Sequence, residues 1–283
     1  MDIFKDSPVI VRGGGDLATG VIYRLRVAGV PVLVLETERP LAVRRAVSVC
    51  EAVYEGRCRV EDMECRLISS LDEFDPSVVG VLVDPRGDSI AALRPRILID
   101  AIMAKRATGT ARGMAPVTIA LGPGFSAPED VLYVIETMRG HSLGRVITKG
   151  AAIPDTKRPG VIMGYGIERL LRAPAEGRLV PRKGIGDLVE AGETVGEIAG
   201  HPVRANISGV IRGLIHPSVE CRYDMKIGDV DPRGVEDYCF TIGQIPLDSG
   251  RRYGGHKPFG PLTARKSPLS FTLRSCYICS THR

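Results

Sequence analysis

Residues 9–18 read Val9-Ile10-Val11-Arg12-Gly13-Gly14-Gly15-Asp16-Leu17-Ala18. A short β-branched run meets a glycine turn, and the turn opens a stretch that puts Leu17, Val21, Ile22 and Leu25 on one helical face. The run is continuously apolar rather than alternating, the pattern of a strand covered on both faces. Runs of the same kind follow at Val32-Leu33-Val34-Leu35, Val79-Gly80-Val81-Leu82-Val83, Ile97-Leu98-Ile99 and Val117-Thr118-Ile119-Ala120-Leu121. Strands alternating with helical stretches predict an α/β domain over residues 1–150, built as a Rossmann-like, doubly wound parallel sheet.

In that setting the glycine turn has a chemical use. Gly13-Gly14-Gly15-Asp16-Leu17-Ala18 fits G-x-G-x-x-A between a strand and a helix. Gly13 permits the tight turn, Gly15 lets backbone approach a pyrophosphate, and Ala18 lets helix and strand pack closely. The helix N-terminus offers free N–H groups and partial positive charge to an anion. Asp16 suits a helix start, although its charge opposes a phosphate. Glu36 ends the second strand, where an acid can accept from a ribose hydroxyl or read a pterin edge. Arg39, Arg44 and Arg45 follow it and can meet a phosphate, or form a solvated basic face. Asp84 and Asp100 end two further strands, and Gly122-Pro123-Gly124 follows the last. The candidate cofactor-binding set is therefore Gly13, Gly14, Gly15, Asp16, Glu36, Arg39, Arg44, Asp100, Gly122 and Gly124, at the strand ends where open α/β sheets hold ligands. Turns favour the same residue types without any ligand.

The texture changes near residue 150. Residues 151–176 read as a Pro/Gly-rich connector and residues 177–242 as short strands with frequent turns. Gly186-Asp187-Leu188-Val189 recurs as Gly228-Asp229-Val230-Asp231, which suggests a small all-β unit of two similar halves. Gly186 to Val195 resembles the hairpin of biotinyl/lipoyl-like modules, so a barrel-sandwich-hybrid-like fold is expected. The later hairpin, His201-Pro202-Val203-Arg204-Ala205-Asn206, has no lysine to modify, and a carrier role is not expected. Lys226 to Gly234 is dense in paired charge: it reads as a salt-bridged turn, or as a face toward the crevice of the first domain. Residues 243–283 read as an atypical basic tail with weak structure.

Composition narrows the function classes. The chain has 283 residues, 44% apolar, and a net charge of +5. The tail holds seven Lys/Arg and one acid, Asp248, so the rest of the chain sums to −1, which gives no reason to expect nucleic-acid binding. No apolar run reaches the roughly 18 residues of a membrane span, and the polar start is unlike a signal peptide. Seven cysteines, an odd number, argue against a secreted disulfide framework and for a reduced, cytoplasmic protein. Cys58 and Cys65 lie seven apart, and Cys276-Tyr277-Ile278-Cys279 is an isolated C-x-x-C in the tail. No metal motif and no nucleophile motif appears, so neither a metal site nor a catalytic residue is assigned. His141, beside Arg139 and Arg145, suits a helix C-terminus or a site.

Several longer motifs converge on one family. They are Arg12 to Gly20, Glu38-Arg39-Pro40-Leu41-Ala42-Val43-Arg44-Arg45, Met114-Ala115-Pro116, Ala120 to Phe125, Glu136-Thr137-Met138-Arg139-Gly140-His141, and Lys226 to Arg233. Together they resemble the YqeB-type proteins of the selenium-dependent molybdenum hydroxylase system, distant relatives of XdhC-type xanthine dehydrogenase accessory proteins, over about residues 7–242. The resemblance implies a maturation role: handling molybdenum cofactor (molybdopterin), or its selenium-bearing form, for a molybdenum hydroxylase apoenzyme. It transfers no catalytic residue. The text departs from the pattern after Ile242, as a frameshifted or truncated ending would. Other readings are an NAD(P)-dependent oxidoreductase holding an NAD(P)-like dinucleotide, and a non-catalytic nucleotide-sensing interaction protein. No membrane partner is expected, and a homo-oligomer is left open.

Overall fold

The computed structural model describes residues 7–156 and 158–243. In chain order the first elements are β1 (Val9–Arg12), α1 (Asp16–Val27), β2 (Val32–Glu36), α2 (Ala52–Glu55), β3 (Arg57–Val60), β4 (Met63–Ile68), β5 (Val79–Val83), α3 (Ile90–Leu93), β6 (Ile97–Asp100) and β7 (Val117–Leu121). There follow β8 (Ser126–Ala127), β9 (Tyr133–Ile135), β10 (Val146–Ile147) and β11 (Gly150–Ala151). Nine of these strands make one sheet, in the order β10-β9-β7-β6-β1-β2-β5-β4-β3; β8 and β11 pair separately.

The apolar strands form where the sequence puts them, but the doubly wound, Rossmann-like sheet does not. The sheet is mixed: β3 runs antiparallel to β4 at one edge, and β10 antiparallel to β9 at the other. The crossover helices are also missing. Among the described residues, α1 with its 12 residues is the only helix longer than four. Between β2 and β5 the chain makes 3-10 turns at Arg45–Val47 and Val49–Glu51, the four-residue α2, and the hairpin β3–β4, which joins the sheet itself. Continuous apolar strands report that both faces are covered, not that helices cover them. On one face Val9, Val11, Val32 and Val34 pack with Ile22 and Leu25 of α1 and with Val47 and Val49. On the other, Ile10, Leu33 and Leu98 meet Ile90 and, at the margin, Leu71 and Phe74.

The second part contains β12 (Leu170–Arg172), β13 (Gly177–Pro181), β14 (Leu188–Val189), β15 (Thr194–Ile198), β16 (His201–Arg204), β17 (Gly209–Leu214), β18 (Glu220–Cys221), β19 (Lys226–Asp231) and α4 (Asp237–Phe240). The expected barrel-sandwich-hybrid-like module is replaced by two four-stranded antiparallel sheets, β12-β19-β17-β14 and β16-β15-β13-β18. Leu171, Leu179, Val195, Ile198, Ile211 and Ile227 from both sheets share one core. The two similar Gly-Asp stretches flank the same strand: Val189 pairs Gly209 and Asp231 pairs Val210, on opposite sides of β17.

The two parts meet tightly along residues 43–45. Leu214 donates its N–H to the Val43 carbonyl at 2.7 Å, and Arg45 Nε donates to the Leu214 carbonyl at 2.8 Å. Gly213 has to be glycine here, because a Cβ would sit 2.9 Å from the Val43 carbonyl oxygen. The basic tail after residue 243, with Cys276 and Cys279, lies outside the described residues.

Candidate functional site

The glycine turn is closed largely by the protein's own groups. Gly13 has φ +90°, and a Cβ on it would lie 2.9 Å from the Cα of Ile102, so the turn's first glycine serves the approach of the chain leaving β6. The Gly14 N–H donates to Glu36 Oε1 at 2.6 Å, and Thr37 N–H donates to Glu36 Oε2 at 2.8 Å. Glu36 is buried; burial raises its carboxyl and these two backbone bonds partly offset the shift. The Gly14 carbonyl accepts from Cys50 N–H at 2.9 Å, and Val49 N–H donates to Thr19 Oγ1 at 3.0 Å, so residues 48–52 lie over the turn. Only Gly15 faces open space, with nothing within 4 Å of a Cβ built on it.

The other strand-end residues are similarly engaged. Asp100 Oδ2 accepts from Thr108 Oγ1 at 2.7 Å and Thr110 Oγ1 at 2.6 Å, and Oδ1 from Ile102 N–H at 3.2 Å. The buried Arg12 donates to Thr110 Oγ1 at 2.7 Å and to the Thr108 and Pro85 carbonyls, 3.9 Å from Asp100. Burial would raise the Asp84 carboxyl, but the Ser89 hydroxyl and the amides of residues 87–89, in the turn before α3, hold it below its usual value. Gly122 and Gly124, at φ +70° and +120°, leave room for Thr137 Oγ1 and for the backbone of Arg106. Arg39 and His141 are exposed.

Arg44 belongs to a different grouping, which the sequence does not display. It sits between the two parts and pairs with Asp16 at the start of α1, Nη1 to Oδ2 3.4 Å. Its Nη2 donates to the Tyr238 and Thr241 carbonyls at 3.2 and 3.4 Å. Arg212 from β17 lies beside it, and Arg212 in turn neighbours Arg139 after β9, which also faces Arg169 from the turn before β12 and Arg233 after β19. Three carboxylates answer these five guanidiniums: Asp16, Asp229 and Asp231. Arg169 holds Asp229 at 2.5 Å, and Arg233 grips Asp231 through Nε at 2.9 Å and Nη2 at 2.5 Å while lying over the Tyr238 ring. Arg212 reaches Asp231 only at 3.8 Å.

Five positive charges against three negative ones leave an excess of two. Desolvation lowers the Arg44 guanidinium and repulsion from Arg212 lowers it further, with Asp16 and Asp229 opposing. Arg139, at the rim, is lowered by partial burial and by Arg169, Arg212 and Arg233. The buried Arg44 Nε and Arg212 Nε have no hydrogen-bond partner, and neither has Asp229 Oδ1. Unpaired buried donors on charged groups are costly unless something else meets them. A polyanionic ligand fits that chemistry: guanidiniums bind phosphate oxygens through paired N–H donors.

Sequence reasoning picked out Arg44 and missed Arg139, Arg169, Arg212 and Arg233 as partners. The signal was partly present, because Arg139 and Arg233 lie inside the Glu136 to His141 and Lys226 to Arg233 motifs. A further trio, Glu51, Glu55 and His216, has ligand atoms within 4.8 Å of one another. It is a poor metal site. Arg45 already pairs with Glu51, and His216 Nε2 lies 3.8 Å from Glu55 while its Nδ1 meets the Ser218 hydroxyl at 2.7 Å and the Ser218 N–H at 3.2 Å. Among the described residues no helix is long and apolar enough to cross a membrane.

The molecule is thus a mixed β-sheet joined to paired antiparallel sheets, with an arginine-rich junction between them. No family model matches the chain. It is 44% identical over 251 residues to the uncharacterized protein YqeB of Escherichia coli K12, covering 87% of this chain and 46% of that protein. The chain therefore spans about half the length of that curated relative, and the relative is the kind of protein that the motifs resemble. Among solved structures, an aspartoacylase family protein from Mesorhizobium loti shares 14% identity, covering 79% of this chain and 85% of that one, with a TM-score of 0.27. A succinylglutamate desuccinylase/aspartoacylase from Rhodobacter sphaeroides shares 16%, covering 80% and 85%, with a TM-score of 0.25. Likeness at that level carries no argument about fold or function.

Proposed function

We propose that the chain binds a phosphorylated small-molecule cofactor at the arginine junction, and serves as an accessory protein in the maturation of a molybdenum hydroxylase. The observation that carries the binding step is the excess of guanidiniums over carboxylates, with Arg44 Nε and Arg212 Nε buried and unpaired. The motif resemblance supplies the rest: molybdopterin carries a phosphate, and a cytoplasmic hydroxylase apoenzyme would be its recipient. In this reading Arg44 and Arg212 hold the phosphate, and Arg139 and Arg233 add to the positive charge around it. The bound group would bring the metal chemistry, and the protein would supply binding and protection from water. An NAD(P)-like dinucleotide offers the same anionic handle. Denaturing extraction of the purified protein followed by mass spectrometry separates them. A pterin phosphate supports maturation, a dinucleotide replaces the molybdenum reading, and an extract with neither, from protein that also fails to bind added molybdopterin, removes it.

A further inference from the structure

Cys58 and Cys65 stand directly opposite each other in the β3–β4 hairpin. Glu61 and Asp62 form its two-residue turn, with Glu61 at φ 54°, and Val60 and Met63 close it. Counting outward from a two-residue turn, hydrogen-bonded and non-hydrogen-bonded pairs alternate. The Cys58–Cys65 pair is then of the hydrogen-bonded kind, with Cα atoms about 5.5 Å apart. That Cα spacing lies within the roughly 4.4–6.8 Å of disulfides, and the opposed Cβ atoms, about 5.5 Å apart in such a pair, have to close to about 4.5 Å or less for the bond to form. Both side chains leave the sheet on the face where Val60 and Met63 are buried.

The surroundings give the two thiols different roles. Cys58 is half-buried and Cys65 is buried. The neighbouring Cys65 thiol and the Ala52 N–H lower the Cys58 thiol against the effect of burial. The same contact, and then burial, push Cys65 up. Burial also raises Cys50, Cys221 and Cys239, so Cys58 is the one lowered thiol among the described residues. Its Sγ lies 3.5 Å from the Val49 carbonyl, in the segment that covers the glycine turn.

We propose that Cys58 and Cys65 form a reversible thiol–disulfide modification site, with Cys58 as the attacking thiol and a low-molecular-weight disulfide as its oxidant. The Cys58 thiolate attacks one sulfur of RSSR, forming Cys58–S–SR and releasing RS⁻. The Cys65 thiolate then attacks the Cys58 sulfur, forming the Cys58–Cys65 bond and releasing the second RS⁻. In balance two protein thiols are oxidised, one RSSR is reduced, and the two protons end on two RSH. The new bond removes the S–H that the Val49 carbonyl accepts.

The test equilibrates the full chain in glutathione buffers of graded ratio, then quenches, alkylates under denaturing conditions and maps the peptides by mass. Cys58 and Cys65 should lose alkylation together, with a mass decrease of two hydrogen atoms that dithiothreitol reverses. Cys65→Ser should accumulate a glutathione mixed disulfide at Cys58, whereas Cys58→Ser should leave Cys65 fully alkylatable. The wild-type map needs no variant to fold. Disulfides confined to other cysteines, or a folded Cys65→Ser with no adduct at Cys58, would overturn the proposal.

Discussion

Replacing Arg169 by Met tests whether the junction depends on its internal charge pairing. Arg169 and Asp229 are 4% and 9% exposed at their side chains and paired at 2.5 Å. Arg169 also donates to the Gly160 carbonyl at 3.0 Å and the Val230 carbonyl at 3.3 Å. Met fills the space but leaves Asp229, whose Oδ1 already has no partner, buried without its hydrogen-bonded cation. Breaking a buried pair from one side costs about 3–5 kcal/mol. For a chain of this size each kcal/mol moves the melting midpoint by about 2–4 °C, so circular dichroism should show a fall of roughly 6–20 °C. Asp229→Leu added to Arg169→Met would recover most of the loss for an isolated pair. Here Asp229 also offsets Arg44, Arg139 and Arg233. Recovery should therefore be partial in plain buffer and improve with millimolar pyrophosphate. A loss below about 1 kcal/mol for the single variant, the size expected of a solvent-exposed pair, would refute the reasoning.

Other outcomes follow from the same geometry. Arg212→Met removes a charge whose Nε has no partner and whose nearest carboxylate is 3.8 Å away. Urea denaturation should find the variant as stable as the wild type or more so. Gly14→Ala places a Cβ 2.9 Å from the Cys50 backbone nitrogen and should cost about 1–3 kcal/mol, whereas Gly15→Ala meets open space and should cost within about 1 kcal/mol; paired thermal melts decide. Burial raises the Asp231 carboxyl, but its bonds to Arg233 outweigh that and depress it. A depressed folded value adds stability above the unfolded value near 3.9 that is lost as pH falls through the folded value. Melts of the wild type from pH 6 down to pH 3 should show that loss, and Asp231→Asn should show less of it.

The strands were legible because each is short, β-branched and bounded by turn residues: Val9–Arg12, Val32–Glu36, Val79–Val83, Ile97–Asp100 and Val117–Leu121 form as the sequence suggests. The connections were not. Residues 63–66 alternate between buried and exposed, a strand pattern, yet their partner Arg57–Val60 buries only Val60 and gives little apolar signal. Without that hairpin the interval between the second and third apolar strands reads as a crossover, and the sheet reads as wholly parallel. Glu36 looked free to meet a ligand because sequence cannot show the turn folding back to place Gly14 N–H 2.6 Å from it. The arginine junction was hidden for a related reason. Arg44, Arg139, Arg169, Arg212 and Arg233 are far apart in sequence, and each alone reads as a solvated charge. The packing of β17 against residues 43–45, and of β12 and β17 on either side of β19, brings them together.

The central claim, that the junction is an anion site, is tested most directly by calorimetric titration of inorganic pyrophosphate into the full chain and into Arg212→Met. The wild type should bind saturably at one site. The variant, equally folded, should bind at least tenfold more weakly, a difference of about 1.4 kcal/mol. No saturable binding by the wild type, or equal affinity in the two proteins, would contradict it.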